Sequence, residues 1–276
     1  MKTIQFLIAL LITSSSFGQK YFETFRSTRL INNHTTELLK PGIMEMRISH
    51  RFGAINSGVD EFWGLDQATI RLALEYGLNN WINIGLGRSS YEKTVDGFAK
   101  IRLIQSNDAS FNIVYYGSMT VNTLPYPDSE LDYKFSSRLA YVNQLILSKK
   151  INQSISLLLV PAIIHKNLVL LNNDPNTRLT LGAGGKINVT KVTSIQAEYH
   201  YRFGDKSTFD YEAFNNSFSL GVGFHTKGHF FECHLTNSAP IIDKGFLTET
   251  SGSWMDGDIR IGFNVIRDFK IRKQKK

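Results

Sequence analysis

The chain has 276 residues, of which 42% are apolar and 20% are charged, so it can bury a sizeable core and has no disordered character. Its lone cysteine, Cys233, excludes an internal disulfide framework. The net charge of +7 suits an anionic surface, but the basic residues before the C-terminus are spread singly, so we predict no nucleic-acid partner.

Residues 1–18 have the pattern of a secretory signal peptide. Lys2 gives a positive start, residues 4–12 form a short and mostly apolar run, and the tripeptide SFG at 16–18 offers small residues where a signal peptidase cleaves. The run is too short to cross a bilayer as a helix. We therefore predict export, with a mature chain that begins at Gln19 and carries no lipoprotein anchor.

The first half of the remaining chain contains segments in which apolar and polar residues alternate. This period of two is typical of β-strands, and in the first segment Met44, Met46 and Ile48 alternate with Glu45 and Arg47. Segment 111–121 alternates less cleanly. The predicted strands of this half are 42–52, 68–76, 81–88, 97–105, 111–121 and 138–148.

The second half continues the pattern. Segment 156–165 is apolar on both sides, so its facing stays open. Tyr199, Tyr201 and Phe203 fall at a strand end on the apolar side, where an interfacial aromatic girdle is expected. The predicted strands of this half are 156–165, 177–186, 195–203, 218–225, 231–236 and 259–265.

The connections between these segments alternate in length. Long ones contain Gly53, Pro125, Asn172, Asp210 and Pro240, and short ones contain Asn79, Asn107, Lys150, Asn188 and Lys227. Transmembrane barrels have long outer loops and short periplasmic turns, and their strands of about 9–11 residues match these segments. We therefore predict an all-β, antiparallel up-and-down transmembrane β-barrel of about 12 strands in the outer membrane. A secreted soluble β-sandwich is the alternative.

This interpretation divides the chain into four parts. Residues 1–18 form the signal peptide, 19–41 a periplasmic N-terminal segment that can enter the periplasmic mouth, 42–269 the barrel, and 270–276 a basic tail. The long loops are expected at the outer surface. The expected partners are outer-membrane lipid and the barrel-assembly machinery, for which Phe269 is the candidate signal.

Three stretches carry a resemblance to a known family. They are TRLINNHTTE at 28–37, ISHRFG at 48–53 and GRSSYEKT at 87–94, the last followed by Asp96-Gly97. In these stretches the chain resembles a family of predicted outer-membrane β-barrels, typical of Bacteroidetes-type bacteria and classified only as a domain of unknown function. The resemblance implies the location and the fold, and it supplies no catalytic residue.

The charged side chains on the polar faces would converge on one lumen. They are Glu45, Arg47, Arg51, Arg71, Glu75, Lys100, Arg102, Arg138, Arg178, Lys186, Glu198, His200, Arg202, Glu232 and Arg260. If opposite charges pair, the barrel is a closed scaffold or binding barrel. If basic residues remain in excess beside water, it is a narrow pore that favours small anionic solutes. Both hypotheses stay open at this point.

Catalytic chemistry has weaker support in the sequence. His50 and His165 would be the residues of a lipid- or lipopolysaccharide-modifying barrel enzyme, but no Gly-x-Ser-x-Gly elbow is present. His225, His229 and His234 form no closed ligand set. The glycine-rich run at 182–186 lacks phosphate-loop spacing, so we expect its glycines to relieve crowding inside the barrel. We predict no catalytic residue, no metal site and no cofactor.

Overall fold

Twelve antiparallel strands form one closed barrel, in which each strand pairs with its neighbours in sequence and the last pairs with the first. The computed structural model describes residues 24–106, 111–125, 134–169, 175–204, 214–226 and 228–272. The predicted up-and-down barrel is confirmed. The soluble sandwich is wrong, because a sandwich needs two separate sheets. The predicted signal peptide, much of three long loops, parts of the short turns at Asn107 and Lys227 and the end of the basic tail lie outside the described residues.

The strands agree closely with the alternating segments. In the first half they are β1 Ile43–Ala54, β2 Ala68–Gly77, β3 Ile82–Ser89, β4 Val95–Gln105, β5 Asn112–Val121 and β6 Leu139–Lys150. In the second half they are β7 Ile155–Lys166, β8 Thr177–Asn188, β9 Thr193–Arg202, β10 Ser217–Thr226, β11 His229–Thr236 and β12 Arg260–Lys270. Most strands extend a residue or two past the predicted ends, since pairing with a neighbour continues beyond the clear alternation.

The alternation separates a lipid-facing surface from the lumen. On β2, for example, Leu72 and Leu74 point outward, while Arg71, Ala73 and Glu75 point inward and are buried. The facing of β7 is now defined: Leu158, Val160, Ala162 and Ile164 point inward. The inner wall is therefore apolar along β7 and largely polar along β1 and β2. No helix in the described ranges is long and apolar enough to cross a membrane.

The two rims differ in the length of their connections. We call the rim with the long loops the outer rim and the opposite rim, which carries both ends of the barrel, the periplasmic rim. At the periplasmic rim, Asn79 accepts hydrogen bonds from the backbone N–H groups of Trp81 and Ile82 and so fixes the β2–β3 turn. At the outer rim, Gly64 has φ +81°, and a Cβ there would lie 2.5 Å from the backbone of Gly53.

Two segments fill the lumen. The N-terminal plug, residues 24–39, is almost entirely buried, and so is the loop plug, residues 237–252, which joins β11 to β12 and contains helix α1, Asp243–Thr248. The sequence analysis expected the loop at Pro240 on the outer surface, and this expectation is wrong. Ile241, Ile242, Phe246 and Leu247 would be exposed there, and their burial inside the barrel is favourable.

Candidate functional site

The lumen contains most of the charged residues that the sequence singled out. Buried there are Glu45, Arg47, Arg51, Arg71, Glu75, Lys100, Arg178, Lys186, Glu198, His200, Arg202 and Glu232. Three others are only partly buried and lie near strand ends. Arg102 donates to the Asn80 carbonyl at the periplasmic rim, whereas Arg138 donates to Asn122 and Arg260 to Phe52 at the outer rim.

Glu198 on β9 holds the centre of the N-terminal plug. Its two carboxylate oxygens accept hydrogen bonds from the backbone N–H groups of Asn32, at 2.9 Å, and Asn33, at 3.1 Å. These residues form the tip of a tight turn closed by the bridge between Arg29 and His34. A single buried carboxylate therefore satisfies two backbone donors that the turn leaves without an internal partner.

Lys100 on β4 holds the same plug from the opposite side. Its ammonium donates to the backbone oxygen of Glu37 at 2.5 Å and to that of Thr28 at 3.3 Å, and Glu75 lies 3.8 Å away. The Glu37 carboxylate accepts from the backbone of Thr24 and Phe25. Burial raises the pKa of Glu37, although these hydrogen bonds oppose the shift. The plug is thus closed on itself and tied to the wall.

Wall cations near the outer rim hold the loop plug by its carbonyl oxygens. Arg51 on β1 donates to the Ser238 oxygen at 3.0 Å and also to the Pro240 oxygen. Arg202 on β9 donates to the Thr248 oxygen at 3.3 Å. Arg51 also donates to the Asn32 side chain, so one guanidinium group contacts both plugs.

Other buried charges pair within the wall. Arg71 and Asp96 form an ion pair at 2.5 Å between β2 and β4, and His234 lies 3.1 Å from Glu232 on β11. Glu232 also accepts a hydrogen bond from Asn264. A buried charge with a partner is far less costly than a lone one. The Arg71–Asp96 pair and the hydrogen bonds that Glu232 accepts lower the cost of these charges in the interior.

The opposite part of the lumen is packed with apolar and aromatic side chains. Val114, Val142, Val160 and Ile164 of the wall belong to one core cluster with Phe25 and Leu30 of the N-terminal plug and Phe246 and Leu247 of the loop plug. His34 packs on Tyr116, with ring centroids 4.1 Å apart, and Phe246 lies 5.0 Å from His200. This half of the lumen is a protein core.

The sequence analysis missed the residues that the plugs contribute. Tyr116 donates to the Asp243 carboxylate at 2.7 Å, and the same carboxylate lies 3.9 Å from Arg29, so Asp243 links the two plugs. One feature of the sequence did indicate that protein fills the lumen. Segment 156–165 is apolar on both sides, which indicates that its inner face meets protein rather than water.

A small internal cavity remains between the N-terminal plug and the wall. It measures about 10 Å³ and is lined by Arg29, Glu45, Arg47, Ala73, Glu75 and Phe98. That volume is about the size of one water molecule. The cavity adjoins the guanidinium groups of Arg29 and Arg47 and the carboxylates of Glu45 and Glu75. It can therefore hold a bridging water but no organic solute.

The remaining candidates lie apart from the lumen or serve packing. His50 stacks on Phe263 on the lipid-facing side of β1. His165 shares a hydrogen bond with Thr177 on the lipid-facing side of β7, across the barrel from β1. In the described part of the chain, no three His, Cys, Asp or Glu side chains form a group suited to a metal. A Cβ at Gly184 would lie 2.8 Å from Leu30, so this glycine does make room for the N-terminal plug.

Comparison with known proteins identifies the family. Residues 25–269 match the model of a family described as a membrane bound beta barrel domain (DUF5777). The chain belongs to this family. The match includes both plugs as well as the strands, and it confirms the resemblance found in the three sequence stretches. No curated protein matches the chain.

Solved structures with a similar fold are outer-membrane proteins. The KdgM porin matches with a TM-score of 0.50 and 11% identity, covering 82% of this chain and 99% of the porin. The NanC porin matches with a TM-score of 0.53 and 9% identity, covering 82% of this chain and 99% of the porin. An outer membrane channel from Pseudomonas putida F1 matches with a TM-score of 0.53 and 14% identity, covering 84% of this chain and 97% of the channel. The fold is therefore that of outer-membrane barrels, and the family to which the chain belongs is membrane bound.

Proposed function

We propose that the protein is a narrow outer-membrane channel for small anionic solutes, held closed by its two plugs. The observation that carries this proposal is the contact between wall cations and plug carbonyls. Lys100 holds the N-terminal plug in this way, and Arg51 and Arg202 hold the loop plug. Such oxygen acceptors are exchangeable with the oxygens of a carboxylate or phosphate solute. Basic side chains beside water favour anions in a pore.

The hydrogen bonding between plugs and wall is also incomplete, which supports a plug that can leave. Within the described ranges, Thr180 Oγ1 and Ser217 Oγ are buried without a hydrogen-bond partner. A buried polar group without a partner costs free energy. These wall groups would gain water as a partner when the lumen opens.

The test is conductance in planar bilayers, measured on refolded protein. The N-terminal plug closes the periplasmic half and the loop plug the outer half, so each variant lacking one plug is expected to stay nearly closed. A variant lacking residues 20–40, with 239–250 replaced by a short Gly-Ser linker, is expected to show discrete conductance with anion preference.

The selectivity of this open variant provides the matched control. Changing Arg51 and Arg202 to Gln is expected to reduce the anion preference, whereas Arg267→Gln, on the exposed surface of β12, is expected to leave it unchanged. An open variant that folds, as shown by its gel mobility, and yet never conducts would contradict the channel.

That outcome would favour a second candidate, a closed scaffold barrel that displays its outer loops. The specific observation behind it is the apolar inner face of β5 to β7, where Val114, Val142 and Val160 are fully buried. A surface of this kind suits a permanent core better than a water-filled passage.

We further propose that the chain is exported by cleavage before Gln19 and folded by the barrel-assembly machinery, which would recognise Phe269. Phe269 lies on β12 opposite Met44 and carries the Arg267 guanidinium over its ring at 5.3 Å. N-terminal sequencing of protein from outer membranes tests the cleavage site. Phe269→Ala is expected to lower the fraction of assembled barrel in cells, and an unchanged fraction would contradict the role in assembly.

A further inference from the structure

Four charged side chains form a continuous network where the loop plug meets the outer rim. Lys244 of α1 lies 2.6 Å from Glu92, in the β3–β4 loop, and 3.1 Å from Glu249 of its own segment. Glu249 in turn lies 2.6 Å from Lys166 at the end of β7. The network therefore ties the loop plug to two separate parts of the outer rim.

The β3–β4 loop adopts an uncommon backbone conformation at the point of contact. Glu92 and Lys93 have φ values of +49° and +47°, in the left-handed region that non-glycine residues rarely occupy. The loop is held there by bonds from Arg88 and Thr123 to the Lys93 carbonyl. Strained backbone of this kind persists only where the surroundings impose it, and it clusters at switches and clamps. Here it places the Glu92 carboxylate on Lys244.

The two anions of the network differ in their access to solvent. The Glu92 side chain is 30% exposed, whereas those of Lys244 and Glu249 are 7% and 9% exposed. The bond between Glu92 and Lys244 is therefore the one that water and solutes reach first from outside. Its loss leaves Lys244 paired with Glu249, so the loop plug keeps its internal pairing and its bonds to Arg51 and Arg202 while it loses one of the two ion pairs that tie it to the rim.

The N-terminal plug has its exposed bond at the opposite, periplasmic rim, where Arg26 donates to the Lys191 carbonyl. Its bonds to Glu198 and Lys100 involve side chains that are 1% and 0% exposed. Because its exposed ion pair lies at the outer rim, the loop plug is the segment that can respond to conditions outside the cell.

We propose that Glu92 and Lys244 form a latch that keeps the loop plug in the lumen, and that the outer half of the barrel opens when this ion pair breaks. The proposal deepens the channel function proposed above and rests on it for the link to solute flow. The sequence GRSSYEKT, which carries part of the family resemblance, then has a physical role: it builds the strained loop that presents Glu92.

The first test follows the position of the loop plug in the full-length chain and needs no conductance. Cys233 is replaced by Ser, a single cysteine is placed at Leu247, and labelling by a membrane-impermeant maleimide is timed in the folded barrel. Leu247 is 3% exposed, so labelling reports exit of the loop. A second reporter at Thr248 serves if Leu247→Cys disturbs folding.

Glu92→Gln is expected to raise the labelling rate about tenfold, the change that loss of one charge-assisted hydrogen bond produces. Glu61→Gln is the matched control, since Glu61 lies in another outer loop and its side chain bonds only Gln67 among the contacts described. Equal labelling rates in the two variants would overturn the latch.

The second test separates the latch from the channel. In protein lacking residues 20–40, the loop plug is the remaining block, and Glu92→Gln is expected to raise the open probability in planar bilayers. Faster labelling without any conductance would support the latch and contradict the channel. Conductance that Glu92→Gln leaves unchanged would support the channel and overturn the latch.

Discussion

Individual buried carboxylates determine how tightly the plugs are held. Glu198 accepts from two backbone N–H groups of the N-terminal plug, and Glu45 accepts from the Thr28 hydroxyl at 2.8 Å. Each contact replaces water around a group that would be costly to bury alone. The stability of the closed state is therefore concentrated in a few polar contacts as well as in the apolar core.

Glu198→Ala is expected to destabilise the closed barrel by about 2–5 kcal/mol, because it leaves two buried N–H groups without an acceptor. Glu198→Gln keeps one oxygen and should lose less. The free energy of unfolding from urea titration in detergent measures the effect. Glu61→Ala is the control and is expected to change the free energy of unfolding by at most about 0.5 kcal/mol. If Glu198→Ala lost no more than this control, Glu198 would not hold the plug.

The pH dependence of the loop plug follows from Glu249. Burial raises the pKa of its carboxyl, but Lys244 and Lys166 outweigh burial and hold the pKa at about 2, below the ordinary value of 4.5. A carboxyl with a lowered pKa contributes stability above its unfolded pKa and loses it as the pH falls through the folded value.

Labelling of a cysteine at Leu247 by 2,2′-dipyridyl disulfide, which reacts with thiols in acid, is compared with that of a free thiol at each pH. This relative rate should stay low from neutral pH down to about pH 4.5 and rise as the pH approaches 2. In Glu249→Gln, the acceleration in that range should be absent and labelling should be faster at neutral pH. The same acid profile in both proteins would assign the effect to other groups.

At the scale of elements, β7 differs from the other strands because both of its faces are apolar. Its outer face meets lipid, and its inner face packs on the two plugs. The glycines of β8 act in the same region, since a side chain at Gly184 would displace Leu30. The neighbouring strands thus form the part of the wall that the plugs use as a core.

Ile164 and Ile163 are adjacent on β7 and test this difference directly. Ile164 is 0% exposed and Ile163 is 49% exposed. Ile164→Ala is expected to cost about 2–5 kcal/mol, as for a core residue, and Ile163→Ala clearly less. Urea titration of the two variants measures the difference, and equal losses would indicate that the inner face of β7 is hydrated.

At the scale of the whole molecule, the closed sheet has no free edge, since β12 pairs with β1 over most of its length. A closed antiparallel barrel satisfies all its backbone groups internally, which is what a membrane requires. Filling the lumen adds further stability that an empty barrel of this size would lack.

The whole barrel should therefore resist detergent at room temperature. Unheated protein is expected to migrate faster in an SDS gel than heated protein, and it should be recovered from cells only with detergent. Protein that is recovered without detergent and shows a single heat-independent mobility would contradict the membrane barrel.

The sequence by itself determined the barrel. The period of two in residues such as Met44 to Ile48, together with the alternation of long and short connections, was enough to predict the strands and their order, because lipid on one side imposes a local and repeated pattern. The inward position of Arg51, Glu198 and Glu232 followed from the same parity.

Only the tertiary structure decided that the lumen is closed and by which segments. Asn32 meets Glu198, and Ser238 meets Arg51, across 166 and 187 residues of sequence. Contacts of that range leave no local period, and a polar segment such as 24–39 has the same composition whether it lies in the periplasm or inside a barrel. The facing of β7 was undecided for the same reason, since its inner partner lies elsewhere in the chain.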